Sequence, residues 1–346
     1  MSPDGTAAVR APSILAGYQC GHSLVCCAAP WRATLQPGEF DGIRTRLAGL
    51  DGGELHAEAF VAAVHVQRPP GVFRQPGGDC ALLDRPAARC RLQRTAGLDG
   101  LPASCRNFPR SVVRTPDGDE AAFSLACPTA AAIVAAHPAA FGWAPARWPT
   151  DAYPPHRVVH DRVQAARGAD WNWLEFRDLR EAWWQVIAQA NSAERLAAAL
   201  AGMMRNPLRA APAAPEAVPW DALGAAWSPS QVRAVTEGLA RLPDTGVDHR
   251  GRQRARWAAW MGPSPARAWI DAAQAWAPLV ACHTGLVLQQ AFVHDELPVG
   301  AAVVRAARLA AALPRALAFA MGDPQAERDA LIAVAHLARG DAAALR

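Results

Sequence analysis

Eight cysteines stand at positions 20, 26, 27, 80, 90, 105, 127 and 282, so seven of the eight fall in the first 127 of 346 residues. Thiolates are nucleophiles and soft metal ligands, and clustered thiols in a reducing compartment serve metal or redox chemistry more often than disulfide bonds. The spacing limits what they can hold. Adjacent Cys26 and Cys27 point to opposite faces of a strand or about 100° apart on a helix, an awkward match for one tetrahedral ion. Two metal centres, a polynuclear cluster, or one ligand beside a structural or reactive thiol suit the pair better. Seven thiols exceed the four of a closed zinc site, and the gaps of 5, 52, 9, 14 and 21 residues match neither zinc-finger knuckles nor ferredoxin runs.

Around these cysteines the chain reads Tyr18-Gln-Cys20-Gly-His22 into Cys26-Cys27 and Trp31, then Asp79-Cys80-Ala81, Arg89-Cys90-Arg91, Cys105-Arg-Asn-Phe108-Pro109-Arg110 and Leu125-Ala-Cys127-Pro128. This order resembles the flagellin lysine N-methylase family and the wider group of zinc- or iron-chelating cysteine-cluster proteins, over roughly residues 14 to 136. Three positions depart from the family pattern. Only His22 stands where another cysteine is usual, Ala81 replaces a proline, and Phe108 replaces a tyrosine. The resemblance implies a methyltransferase that uses S-adenosylmethionine and an iron–sulfur cluster, of the four-iron four-sulfur type, to modify lysine side chains of flagellin or another protein. It implies Cys20, Cys26, Cys27, Cys80, Cys90, Cys105 and Cys127 as metal ligands, zinc as the alternative metal, and Arg110 as the cation that holds the cofactor carboxylate; whether His22 replaces the missing cysteine stays open. Two other readings of the thiols stay open: a zinc- or iron-binding protein without methyltransferase activity, and a thiol redox or metal-delivery protein using the Cys26–Cys27 pair.

No device for binding the cofactor by a Gly-rich turn is visible. Gly52-Gly53 and Gly77-Gly78 are isolated pairs lacking the strand–turn–helix context of a dinucleotide fold, and the compact Cys-x-x-x-Cys-x-x-Cys loop of radical enzymes is absent. Seven arginines against the single acid Asp99 occupy Arg85 to Arg114. Guanidinium groups there would offset a negative thiolate centre or grip a carboxylate; the plainer reading is a solvated basic face. Cys282-His283 in an apolar stretch reads as a buried thiol and a hydrogen-bonded imidazole, and His56, His65 and His160 read as structural. The tryptophans at 171, 173, 183 and 184 read as core before they read as an aromatic wall for a methylammonium group.

The elements that must position these residues change character near residue 140. Before it come the cysteines, frequent Gly and Pro, and short β-prone pieces at 31–35, 111–114 and 122–125; after it come 12 of the 13 tryptophans among Ala/Leu/Arg segments at helical period. Helices are expected at 157–167, 173–190, 192–204, 229–241, 252–261, 264–280, 284–294, 299–319 and 324–338. The expected fold is mainly α with a small irregular α+β part: a cysteine-cluster region, 1–140, packed on a Trp-rich C-terminal helical bundle, 141–346. Hydrophobic residues at 51% and charged residues at 19% suffice for a sizeable core, and 35 arginines without a lysine against 31 acids leave a net charge of only +4. That balance asks for neither a nucleic-acid nor a membrane partner, and the arginines at 250, 252, 254 and 256 are too small a patch to change it. Residues 272–294 carry no charge, but Pro278, His283, Thr284 and Gly285 interrupt them, which points to a buried helical hairpin rather than a span. With no secretory signal in view, the expected location is cytoplasmic.

Overall fold

The computed structural model describes residues 9–200, with breaks at 23–24, 29–32, 66–70, 77–78, 88, 138–141, 149–152, 154, 156, 167–168, 191, 193–194 and 197, the stretch 277–293, and residues 309, 310 and 313. Strand β1 (Arg10–Pro12) leads through a 3-10 turn to the first cysteines and the one-turn helix α1 (Val25–Ala28). A helical hairpin, α2 (Glu39–Ala48) and α3 (Gly53–Ala63), follows. Its corner needs glycine twice: Gly52 sits at φ 66°, and a Cβ on Gly53 would lie on the carbonyl oxygens of Leu47 and Ala48. Two short antiparallel ribbons come next, β2 (Val64–His65) with β3 (Val72–Phe73) and β4 (Leu83–Asp84) with β5 (Arg89–Cys90). They pass into the short helices α4 (Arg91–Ala96) and α5 (Ala103–Asn107).

A hairpin of β6 (Arg110–Thr115) and β7 (Gly118–Phe123) then forms the middle of the main sheet. The turn reads Thr-Pro-Asp-Gly, with Gly118 at φ 127° and the Thr115 hydroxyl donating to the Gly118 carbonyl at 2.7 Å. Helix α6 (Pro128–Ala136), strands β8 (Trp143–Pro145), β9 (Arg157–Val158), β10 (Arg162–Ala166) and β11 (Ala169–Asn172), and helices α7 (Trp173–Ala188) and α8 (Ala277–Val293) complete the described chain. The sheet order is β8-β1-β7-β6-β9, with β1 parallel to β7, β9 parallel to β6, and the other pairs antiparallel. Helix α8 packs against β6, β7, α6 and α7.

The fold is therefore mixed α/β, and the mainly α expectation is corrected by this five-stranded sheet. Its central strands gave little alternation to read. Val112 and Val113 are both fully buried, as are Ala121, Ala122 and Phe123, so successive side chains are covered on both faces and the period-two signal disappears. The β-prone pieces at 111–114 and 122–125 fall in or against β6 and β7, but the helix expected at 157–167 is replaced by β9 and β10. The hairpin expected over 272–294 is one unbroken helix across 277–293, because Gly285 weakens a helix without ending it when packing covers it. The helix expected at 173–190 is α7. It starts on a capping box, with Asn172 accepting from the Glu175 amide at 2.9 Å, and buries Trp173, Phe176, Arg180, Trp183, Trp184 and Ile187 on one stripe. The expected helices at 229–241, 252–261 and 324–338 lie outside the described residues, as does the arginine patch at 250–256. Among the described residues no helix is long and apolar enough to cross a membrane.

One ion pair ties the layers together. Arg180 of α7 donates to both oxygens of Glu120 in β7 at 2.8 and 2.7 Å, with both side chains almost wholly buried. Gln289 of α8 donates to the same carboxylate at 3.4 Å, and Arg10 of β1 lies 3.8 Å away. The Arg180 guanidinium is also stacked near Trp173 and Trp184. Removing one partner of such a pair strands a buried charge, so Arg180→Ala should cost about 3–5 kcal/mol. Replacing both partners together, as Glu120→Leu with Arg180→Met, should cost much less. Denaturant midpoints of the two variants check this; equal losses would contradict the stranded-charge account.

Candidate metal centre

Among the seven N-terminal thiols, Cys26, Cys27, Cys80, Cys90 and Cys105 interact with one another, and Cys20 and Cys127 interact with each other beside Tyr18 and Arg110. The five-thiol group sits on an apolar base. Leu35, Ile43, Leu47, Phe60, Phe73, Leu82, Leu92 and Leu101 form a buried cluster against which Cys80, Cys90 and Cys105 pack.

Backbone and carboxylate contacts set the positions of these thiols. The Cys80 amide donates to the Cys27 carbonyl at 2.7 Å, which ties α1 to the loop before β4. Cys90 faces Leu83 across the β4–β5 ribbon and caps the start of α4. Glu39 accepts from the Gln36 amide at 2.6 Å and from the Ala103 amide at 2.7 Å, and the Ser104 hydroxyl donates to the Thr34 carbonyl at 2.6 Å. Those bonds anchor α5, and with it Cys105, to the start of α2. Glu39 carries no motif signature, and only its place in the first turn of a helix hints at a role.

The thiols divide a limited amount of negative charge. Cys26 and Cys27 lie 3.9 Å apart, Sγ to Sγ. The Cys27 thiol interacts with both neighbours and is held protonated, pushed up first by its bonds to Cys26 and Cys90. Its donation lowers Cys26, although that exposed side chain has enough atoms around its sulfur to oppose ionisation. Cys90 is drawn down to about 6, first by the Cys27 thiol and then, against burial, by the amides of Gln93 and Leu92. Burial raises Cys80 to about 11 and also raises Cys105, with the charges of Cys90 and Cys26 adding to both. Among the described residues no three His, Cys, Asp or Glu side chains already stand in an arrangement that holds an ion. The donor set fits a thiophilic metal in chemistry, and side-chain rotation must close it.

Arg110 is buried. Its guanidinium lies 3.6 Å from the Tyr153 ring centre, with Tyr18 and Trp148 at 5.3 and 5.6 Å, and it donates to the carbonyls of Asn107 and Arg106 at 3.5 Å. The chain has only two tyrosines, and both stand in this box; their rarity is the signal that the sequence reading left unused. Three other arginines of the 85–114 run are held by acids: Arg85 by Asp79, Arg94 by Asp84 and Arg114 by Asp119. Burial raises Cys282 to about 12 and lowers His283 to about 4; the hydrogen-bonded imidazole expected there is not seen at Nδ1, which has no hydrogen-bond partner among the described residues. His56, His65 and His160 are exposed. No known family, curated protein or solved structure matches the chain.

A thiol with a lowered pKa ionises at lower pH than an ordinary one. In metal-free protein the alkylation rate of Cys90 should therefore reach half its plateau near pH 6, well below the usual 9.0. Cys27→Ala removes the donor and should move that midpoint up by roughly one pH unit or more. Alkylation followed by peptide mass analysis reads both profiles; identical midpoints would refute the shared-proton arrangement.

Proposed function

We propose that Cys26, Cys27, Cys80, Cys90 and Cys105 hold an iron–sulfur cluster, and that the protein is a methyltransferase acting on protein lysine side chains with S-adenosylmethionine. The observation that supports the metal part is the five-thiol group on one apolar base, with two thiols inclined to ionise beside three that are not. Four cysteines suffice for a four-iron cluster, so the group contains one thiol more than it needs. The cluster would supply a redox-active iron centre; the chain supplies the thiolates, an apolar base that limits water, and the anchors at Glu39 and the Cys80 amide.

Methyl transfer rests on the resemblance described above. Arg110 enters it as the residue that would hold the cofactor carboxylate, and its present carbonyl bonds, at 3.5 Å, are long enough to be exchanged for a charged acceptor. One distance favours a second reading, zinc without methyl transfer. Two thiolates on one tetrahedral zinc stand about 3.8 Å apart, given Zn–S bonds of about 2.3 Å, and Cys26 and Cys27 are at 3.9 Å.

Anaerobically purified protein should be brown, contain iron and sulfide in near-equal amounts, and bleach in air. Cys27→Ser, Cys90→Ser and Cys105→Ser should each lose metal and lower the stability of the N-terminal part, because binding energy here is partly folding energy. Cys282→Ser should leave metal content unchanged. Colourless protein with stoichiometric zinc would replace the iron–sulfur reading by the zinc one, and equal metal in all four variants would remove both. Calorimetric titration of the loaded protein with S-adenosylmethionine separates the methylation claim: no binding at millimolar cofactor would end it while leaving the metal centre standing.

A further inference from the structure

We infer that Arg110, Trp148 and Tyr153 form an enclosed binding site for the carboxylate of a small ligand, reached when the segment after β8 that carries Trp148 and Tyr153 moves aside. Among the described residues two arginines are buried, Arg110 and Arg180, and each lies against three aromatic rings. They differ in their acceptors. Arg180 donates to both oxygens of Glu120, at 2.8 and 2.7 Å. Arg110 pairs with no carboxylate among the described residues. Its bonds to the carbonyls of Asn107 and Arg106, both at 3.5 Å, lie beyond the usual N–H···O range, and its other polar contact is with Tyr153. A guanidinium keeps its charge when buried, and a ring face attracts that charge without accepting an in-plane N–H. The geometry that Glu120 satisfies at Arg180 is therefore the geometry that Arg110 offers to a ligand.

The enclosure is assembled from both sides of residue 140. Arg110 opens β6 opposite Phe123 of β7. Tyr18 packs edge-on to Phe123 with ring centres at 5.8 Å, Trp148 stacks on Phe123 at 6.4 Å, and Tyr153 follows Trp148 at 6.1 Å. The amides of Ala146 and Arg147 donate to the carbonyls of Val9 and Ala16, both at 2.8 Å, which fixes the chain just before Trp148. Trp148 brings a second donor. Its Nε1 is buried and has no hydrogen-bond partner among the described residues. Arg110 and Trp148 are only 7% and 9% exposed, so two buried donors in one enclosure call for an acceptor that water at the surface does not supply. One of the two is charged, and a single negative charge balances it, which selects a carboxylate over a phosphate dianion. The inference deepens the reading of Arg110 given above, and rests on that reading only for identifying the ligand with the cofactor.

Ligand-observed NMR of the acetate methyl signal tests this, with full-length anaerobic protein titrated with sodium acetate while sodium chloride holds the ionic strength constant. Wild type should bind acetate saturably. Arg110→Lys keeps the charge but loses the planar fork, and should weaken binding about tenfold or more, the equivalent of one charge-assisted hydrogen bond. Trp148→Phe keeps a ring beside Arg110 and removes only the Nε1 donor, so it should fold as wild type does and bind acetate several-fold more weakly. Hydrogen exchange in the peptide that carries Trp148 and Tyr153 should slow when acetate saturates the protein. Acetate affinity equal in wild type and Arg110→Lys, or no acetate binding to wild type, would overturn the site. Tighter binding of inorganic phosphate than of acetate would overturn the carboxylate assignment, and unchanged affinity in Trp148→Phe would remove Trp148 from the site. Titration with S-adenosylmethionine is a separate readout: acetate binding without cofactor binding upholds the site while methylation falls, and cofactor binding without acetate binding does the reverse.

Discussion

Thiolates crowded onto an apolar surface repel one another, and that repulsion governs the N-terminal part of this protein. Two unit charges 3.9 Å apart, the Cys26–Cys27 separation, cost about 4 kcal/mol at an effective dielectric of about 20. Metal-free, the group answers by keeping Cys27, Cys80 and Cys105 protonated while Cys26 and Cys90 incline to ionise. A cation reverses the balance, since each further thiolate then adds attraction instead of repulsion. The same packing that penalises the free thiolates would favour their capture by the proposed metal and so couple its binding to the order of α1, the β4–β5 ribbon and α5.

The rest of the fold holds that group against a rigid frame. The β6–β7 hairpin follows directly from α5, so Cys105 at one end and Cys127 at the other bracket the two longest strands of the sheet. Glu120, in the middle of β7, is gripped by Arg180 and reached by Gln289, and Trp173 bonds to Asp117 at the hairpin turn at 2.7 Å. Strands from both sides of residue 140 join one sheet: β8 pairs with β1 and β9 with β6. Movement of α7 or α8 thus bears on the strands that position both groups of thiols.

The cysteines and Trp-rich α7 could be read from residue types and spacing, because each has a local signature. Which thiols meet could not. Intervals of 52 and 21 residues carry no information about whether Cys27 approaches Cys80 or which thiols Cys127 meets. The adjacency argument for Cys26 and Cys27 also gave way: on the single turn of α1 their sulfurs approach within 3.9 Å, because side-chain torsions bring together what the helix backbone sets apart. The sheet was hidden for a different reason. Pieces of its inner strands, 111–114 and 122–125, read as β-prone, but β7 carries two alanines in six residues and both strands bury successive side chains, so no alternation marked them as the middle of a sheet.

Tyr18, Tyr153 and Trp148 surround the buried Arg110 guanidinium with aromatic faces. Metal-edge X-ray absorption on anaerobically purified protein tests the central claim most directly. The account predicts a first coordination shell dominated by sulfur, with metal–metal scattering beyond it from a polynuclear centre. A shell of oxygen and nitrogen, or no bound metal at all, would contradict it.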